Sequence, residues 1–278
     1  MNTVECYIFI YLRYNMSIKK HIPNAITCCN LLCGCLAIVQ AFEGNLVYSA
    51  YLVGLAAIFD FFDGFAARLL RVASPIGKDL DSLADMVTFG VVPGVVVFQL
   101  FQLSNLNYVS RCHGDEMPFY FIYLKYFAFV ITIFSAIRLA KFNNDIRQSD
   151  SFIGVPTPAV AIFVLSIAFI LSKEYYGIYD FDDCLIRSRF IKTLDFVANP
   201  HVLFVTSLIL SFLLISELPL FALKFRNFSW RGNRIRYSFL GLSLILLITL
   251  QFVGIPLIII LYILMSVVTN FYLKRRVS

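Results

Sequence analysis

The chain of 278 residues is 60% hydrophobic and 14% charged, with a formal net charge of +6 and a mean hydropathy of +0.81. A soluble domain carries about a quarter charged residues, so a soluble globular class is excluded and a polytopic membrane protein is implied. The positive balance reflects topology and contact with the lipid bilayer, because no basic cluster carries a nucleic-acid motif and nucleic acid is not expected as a partner.

In chain order, residues 1–15 lack a basic opening and a small-residue cleavage site, so they do not form a signal peptide. They read as an extension upstream of Met16. Ser17 to Asn24 is short and basic, and is expected to lie on the membrane surface as an interfacial segment. Eight apolar runs follow, at roughly 25–42, 46–67, 80–102, 118–140, 155–172, 201–223, 237–253 and 255–272. Each approaches the about 20 residues that a bilayer core requires of a helix. The fold class is therefore all-α, with about eight transmembrane helices. The last two runs are one stretch broken at Gly254-Ile255-Pro256, which predicts a tight helical hairpin. Residues 16–220 are expected to form a six-helix core, and 221–278 a basic loop with that hairpin.

Two features have plain readings. Cys28, Cys29, Cys33 and Cys35 crowd the first run without paired C-x2-C units, and His21 lies outside it. They read as small hydrophobes of a membrane helix. The acidic stretch Tyr179–Asp183 lacks the ligand spacing of a calcium loop and reads as a solvated connector. Charge sets the orientation: 17 of the 23 Lys and Arg residues fall on the side that holds both ends of an eight-span chain. That imbalance assigns the rich side to the cytoplasm.

The informative segment runs Asp60-Phe61-Phe62-Asp63-Gly64-Phe65-Ala66-Ala67-Arg68, then eight residues, then Gly77-Lys78-Asp79-Leu80-Asp81-Ser82-Leu83-Ala84-Asp85. Asp60 and Asp63 are three apart, and Asp81 and Asp85 four apart, so on helices each pair projects from one face. Carboxylates inside a bilayer cost about 2.5–3.5 kcal/mol each at a helix centre and need compensating partners. Pairing with Arg68, Arg71 and Lys78 as helix-end charges accounts for one or two of them. Four at helical spacing, facing one another across a short turn, call for a divalent cation, and oxygen-only ligands favour Mg2+, Mn2+ or Ca2+ over zinc. Gly64 and Ala67 share a face with Asp60 and leave room for something bulky. Arg68 has the planar fork that suits a phosphate. Metal, arginine and a cleared groove together predict phosphoryl transfer on a diphosphate substrate. Asp79 stands apart as a solvated turn residue.

This segment resembles the signature of the CDP-alcohol phosphatidyltransferases, D-x2-D-G-x2-A-R-x8-G-x3-D-x3-D, at every fixed position: Asp60, Asp63, Gly64, Ala67, Arg68, Gly77, Asp81 and Asp85. The resemblance covers about Pro23 to residue 220, and three further stretches resemble the serine-specific branch: 19–34, 81–94, and 137–145 with 152–161. It implies transfer of the phosphatidyl group from CDP-diacylglycerol to L-serine at the inner (cytoplasmic) membrane, with the active site facing the cytoplasm. It also implies one or two ions of Mg2+ or Mn2+, held by Asp60, Asp63 and Asp81, with Asp85 completing the site and acting as general base. Gly64, Ala67, Arg68, Ser74 and Gly77 would contact the CDP part of the lipid. Pro23 and Asn24 either close over it or merely begin the first helix.

Serine carries a carboxylate, and Arg138, Lys141 and Asn143 are candidates to bind it; the two cations serve equally well as membrane-side anchors. The turn Gly154–Pro158 either shapes the same pocket or starts a helix. Homodimers are common in the family, and no interface is legible in the residues. Two other functions stay open: the same transfer to glycerol phosphate, inositol phosphate or choline, and divalent-cation transport through the aspartates.

Overall fold

In a bilayer the backbone finds hydrogen-bond partners only within the protein, so long apolar runs fold as helices. The computed structural model describes residues 3–72, 74–111, 123–144, 152–177, 196–220 and 230–277. Nine α-helices occur among them: α1 (Thr3–Phe42), α2 (Leu46–Leu69), α3 (Pro75–Asp85), α4 (Val92–Arg111), α5 (Phe129–Asn144), α6 (Thr157–Gly177), α7 (Pro200–Ile215), α8 (Trp230–Leu250) and α9 (Gly254–Val277). A π-helical turn, Met86–Val91, joins α3 to α4, and a 3-10 turn, Lys125–Ala128, leads into α5.

The chain is an all-α, multi-pass membrane protein. Among the described residues, five stretches are long and apolar enough to cross a bilayer: His21–Phe42, Leu46–Leu69, Pro75–Ser104, Lys125–Asn144 and Asn233–Asn270. Thr157–Leu171 and Pro200–Ile215 are shorter apolar helices. The last long stretch holds both α8 and α9, and Phe239 meets Tyr262 at 5.6 Å between ring centres, so the two arms fold back on each other. The break comes at the 3-10 turn Gln251–Val253, just before the expected Gly254. Gly254 instead opens α9, where a Cβ would lie 2.6 Å from the Leu246 carbonyl oxygen.

Two boundaries differ from expectation. Ser17–Asn24 is not a separate interfacial segment; α1 runs through it with Pro23 inside, because a proline removes one backbone bond without forbidding a helix. The 201–223 run ends early, since Ser216 turns extended (ψ 141°). Pro219–Leu220 then pairs antiparallel with Phe152–Ile153, in the register Phe152↔Leu220. The acidic stretch at 179–183 and residues 118–122 of the fourth run lie outside the described residues.

One core joins six of the first seven helices, α3 excepted. It joins Ala37 and Ala41 of α1, Leu46 and Val53 of α2, Phe89 of the π turn, Val96 and Phe101 of α4, Ile131 of α5, Val164 and Ala168 of α6, and Leu210 and Leu214 of α7. The hairpin touches this core from outside through Tyr262 and Ile263 of α9. Between membrane helices, small residues permit the closest approach. Gly90 abuts Ser135, whose Cβ would sit 3.2 Å from an added methyl, and Gly34 abuts Thr88 in the same way. These contacts fix how α1, the π turn and α5 are rotated, and therefore what each turns inward.

Candidate active site

The turn from α2 to α3 brings the two aspartate pairs together. At the end of α2 the Val72 N–H donates to the Ala67 carbonyl (3.0 Å) and the Arg71 N–H to that of Arg68 (3.2 Å). This is the Schellman pattern, which needs a left-handed residue after the cap; Arg71 supplies it at φ 53°. Ser74 then caps α3, its Oγ accepting from the Gly77 N–H at 3.0 Å, with Pro75 at the first helical position. Both α2 and α3 pack against α1, and the turn between them leaves Asp60 and Asp63 of α2 converging with Asp81 and Asp85 of α3.

Asp60, Asp63 and Asp81 each offer an oxygen, and the three lie within 4.8 Å of one another. Opposite ligands of a hard six-coordinate cation stand about 4 Å apart for Mg2+ and about 5 Å for Ca2+. The trio therefore fits such an ion with little side-chain adjustment. Asp85 joins from the next turn, within hydrogen-bond reach of Asp60. Carboxylates do not approach this closely without a shared proton or a cation between them. One Asp81 oxygen, Oδ1, is buried and has no hydrogen-bond partner. An orphaned acceptor among four acids is what a cation ligand looks like before the ion is counted.

Beside this cluster lies a groove of about 250 Å3, lined by Pro23, Asn24 and Thr27 of α1, Asp63, Gly64 and Ala67 of α2, Val72 and Ser74 of the turn, and Gly77, Lys78 and Asp81 of α3. All the residues expected to contact the CDP part line it except Arg68. That side chain is exposed and its Nε donates to the Gly64 carbonyl at 3.0 Å, which holds it at the groove's rim. Gly64 has nothing within 4 Å of where a Cβ would be, so its missing side chain leaves open space. At Gly77 a Cβ would meet Ser74 Oγ at 2.9 Å and Asn24 Oδ1 at 3.0 Å, so here α1 and the α3 cap touch the backbone directly.

The serine-binding candidates separate. Arg138 is 7% exposed, interacts electrostatically with Asp85 and leaves its Nε without a hydrogen-bond partner. Asn143 turns to a second groove of about 370 Å3, where its Nδ2 donates to Ser82 Oγ at 2.8 Å and its carbonyl accepts from Lys78 Nζ at 3.3 Å. Lys141 is exposed at the end of α5. Gly154–Pro158 packs away from both grooves: the Gly154 N–H donates to Leu218 (2.9 Å) and the Val155 N–H to Leu213 (3.2 Å), closing the end of α7. Of the four cysteines, Cys33 is buried and Cys28, Cys29 and Cys35 are exposed on α1.

Two residues of the site escaped the sequence reading. Thr27 Oγ1 donates to Asp63 Oδ2 at 2.6 Å. Asn30, fully buried, donates from Nδ2 to Asp85 Oδ1 at 3.3 Å. A signal for them existed: Asn24, Thr27, Asn30 and Gly34 recur at intervals of three, three and four in an otherwise apolar run. That is a polar stripe at helical spacing, and in a membrane such a stripe faces protein.

A family model described as "CDP-alcohol phosphatidyltransferase" matches residues 20–206. Three proteins named CDP-diacylglycerol–serine O-phosphatidyltransferase are similar to the chain. That of Bacillus subtilis is 32% identical over 151 residues, 54% of this chain and 76% of the relative. That of Helicobacter pylori strain J99 is 34% identical over 156 residues, 55% and 59% respectively. That of Methanocaldococcus jannaschii is 31% identical over 210 residues, 74% and 90%.

Proposed function

The chain belongs to the CDP-alcohol phosphatidyltransferase family, and on that premise we propose that it transfers the phosphatidyl group from CDP-diacylglycerol to L-serine, giving phosphatidylserine and CMP. The carrying observation is the convergence of Asp60, Asp63 and Asp81 beside a groove cleared by Gly64. The names of the three relatives support serine as the acceptor.

In this reading Asp60, Asp63 and Asp81 hold Mg2+ or Mn2+, with Asp85 completing the set. A bound ion of this kind neutralises the diphosphate and the departing phosphate of CMP. The groove takes the CDP group, with Pro23 and Asn24 closing it from α1 and Arg68 adding positive charge at its rim. The serine hydroxyl oxygen attacks the lipid-side phosphorus, the bond from that phosphorus to CMP breaks, and the hydroxyl proton passes to Asp85. Asp85 suits the base role because its carboxylate is oriented by Asn30. Arg138, buried beside Asp85, is the carboxylate partner. Lys141 and Asn143 stand further from Asp85's side of α5 and serve as an anchor and a helix clasp. The core at 16–220 carries the chemistry, and the site faces the cytoplasm of the inner membrane.

The test is CMP release from CDP-diacylglycerol by the purified protein in detergent, with Mg2+ or Mn2+, comparing serine with glycerol phosphate, inositol phosphate and choline. Serine-dependent release that stops on chelation is expected. Faster release with a phosphorylated acceptor would remove serine. Metal flux into proteoliposomes without any need for CDP-lipid would restore the transport reading, which leaves the groove and Arg68 without a task.

A further inference from the structure

Asn30 sits against the proposed base but is more than its support. Its side chain is wholly enclosed, and its amide nitrogen donates to Asp85 Oδ1 at 3.3 Å. A carboxylate accepts bonds and does not donate them, so the nitrogen of Asn30 faces Asp85 and the carbonyl oxygen is the atom left over. That oxygen, Oδ1, is buried and has no partner. Its backbone carbonyl accepts from Thr88 Oγ1 at 3.3 Å, which pins this turn of α1 to the π turn and keeps the amide from swinging away. Nearby, Arg138 presents the opposite deficit: a buried donor, Nε, without an acceptor, on a cation drawn to Asp85. A buried acceptor and a buried donor flanking one carboxylate describe a ligand with a donor, an acceptor and a hydroxyl. Buried polar groups left unpaired are rare unless a ligand completes them.

We propose that Asn30 determines acceptor specificity, its Oδ1 receiving the ammonium of an amino alcohol whose hydroxyl rests on Asp85. This rests on the serine reading above and extends it. In an α-amino acid with a β-hydroxyl, the ammonium and the hydroxyl stand on adjacent carbons. Seating the hydroxyl on Asp85 brings the ammonium to the neighbouring amide oxygen and turns the carboxylate toward Arg138. An acceptor whose amine is missing leaves the Asn30 oxygen unpaired, and a site built around a polar group rejects such analogues strongly.

The experiment uses the full-length protein in detergent and measures CMP release with serine and with 3-hydroxypropionate, which is serine without its amine. Asn30→Ala is expected to raise the KM for serine about tenfold or more, and to shrink the preference for serine over 3-hydroxypropionate, read as the ratio of kcat/KM, by the same factor. Binding of CDP, measured separately, stays within about twofold and reports that the variant is folded. If Asn30→Ala binds no CDP, the milder Asn30→Ser is read in its place, with the same direction expected. A fall in kcat with an unchanged serine KM overturns the proposal and leaves Asn30 as a positioning residue for Asp85. Equal losses with both acceptors overturn it as well. Wild-type CMP release that ignores serine sinks the acceptor reading itself, an outcome visible before any variant is made.

Discussion

Thr27→Val replaces the hydroxyl that donates to Asp63 with a methyl of nearly the same size. In the native site Thr27 is 3% exposed, and its hydroxyl lies 2.6 Å from Asp63 Oδ2 and 3.1 Å from the Pro23 carbonyl. It has one proton for two acceptors. The shorter contact, to a carboxylate, holds it, since hydrogen bonds to charged groups are about twice as strong as neutral ones. Valine leaves Asp63 Oδ2 buried without that donor, at a cost of about 1.5–3 kcal/mol. Because 1.4 kcal/mol is about tenfold, the ligand set should bind its ion roughly 10- to 100-fold more weakly, the range seen when outer partners of metal ligands are removed. The Pro23 carbonyl loses only its second choice and adds little.

The assay is Mn2+ or Mg2+ titration of serine-dependent CMP release, alongside direct Mn2+ binding without substrates. Thr27→Val should shift both midpoints to higher metal by the same factor, with kcat at saturating metal within about threefold of wild type. Thr27→Ser, which keeps the hydroxyl, should stay within about threefold throughout. Wild-type metal affinity in Thr27→Val would refute the reasoning, because Asp63 would then not be a ligand whose charge Thr27 supports. A kcat loss that saturating metal does not restore would place Thr27 in the chemistry instead.

Asp85→Asn should lower CMP release by about 100-fold or more, the usual contribution of a general base, while CDP-diacylglycerol binding persists; full activity would remove Asp85 from the base role. Gly64→Ala meets nothing within 4 Å, so its melting temperature should match wild type while the KM for CDP-diacylglycerol rises about tenfold; an unchanged KM would mean the groove is not the nucleotide site. Gly77→Ala should instead lower the melting temperature, because its methyl would push on Ser74 Oγ and Asn24 Oδ1 at 2.9 and 3.0 Å and disturb a cap of about 1 kcal/mol. Arg71→Gly relieves a left-handed residue at φ 53°, worth about 1–2 kcal/mol, against about 0.5–1 kcal/mol of added chain entropy; a modest rise in melting temperature is expected, and a fall would show that the Arg71 side chain holds the turn.

Much of this site was legible because its chemistry is written at short range. Asp60 with Asp63, and Asp81 with Asp85, lie within a turn of each other, and helical geometry alone places each pair on one face. The same holds for Gly64, Ala67 and Arg68, and for the hairpin near Gly254. Such features depend on the pitch of one helix, which a sequence states directly. The end of α7 was harder to see, because the apolar sequence resumes at Leu218 after Ser216-Glu217, and there the chain pairs across to Phe152–Ile153. The passage of α1 through Pro23 was missed for a related reason: a proline lowers helix preference locally, and the rest of a long helix outweighs it.

The sequence by itself determined the class of the protein, the acidic quartet and the small residues beside it. Only the tertiary structure decided which neighbours complete them. Thr27 reaches Asp63 across 36 residues and Asn30 reaches Asp85 across 55, while Arg138 turned inward and Lys141 outward although they share a helix end. Those outcomes depend on how α1 and α5 are rotated against α3 and the π turn, and that rotation is set by close contacts such as Gly34 on Thr88 and Gly90 on Ser135. Periodicity tells which residues share a face; packing alone tells what the face meets.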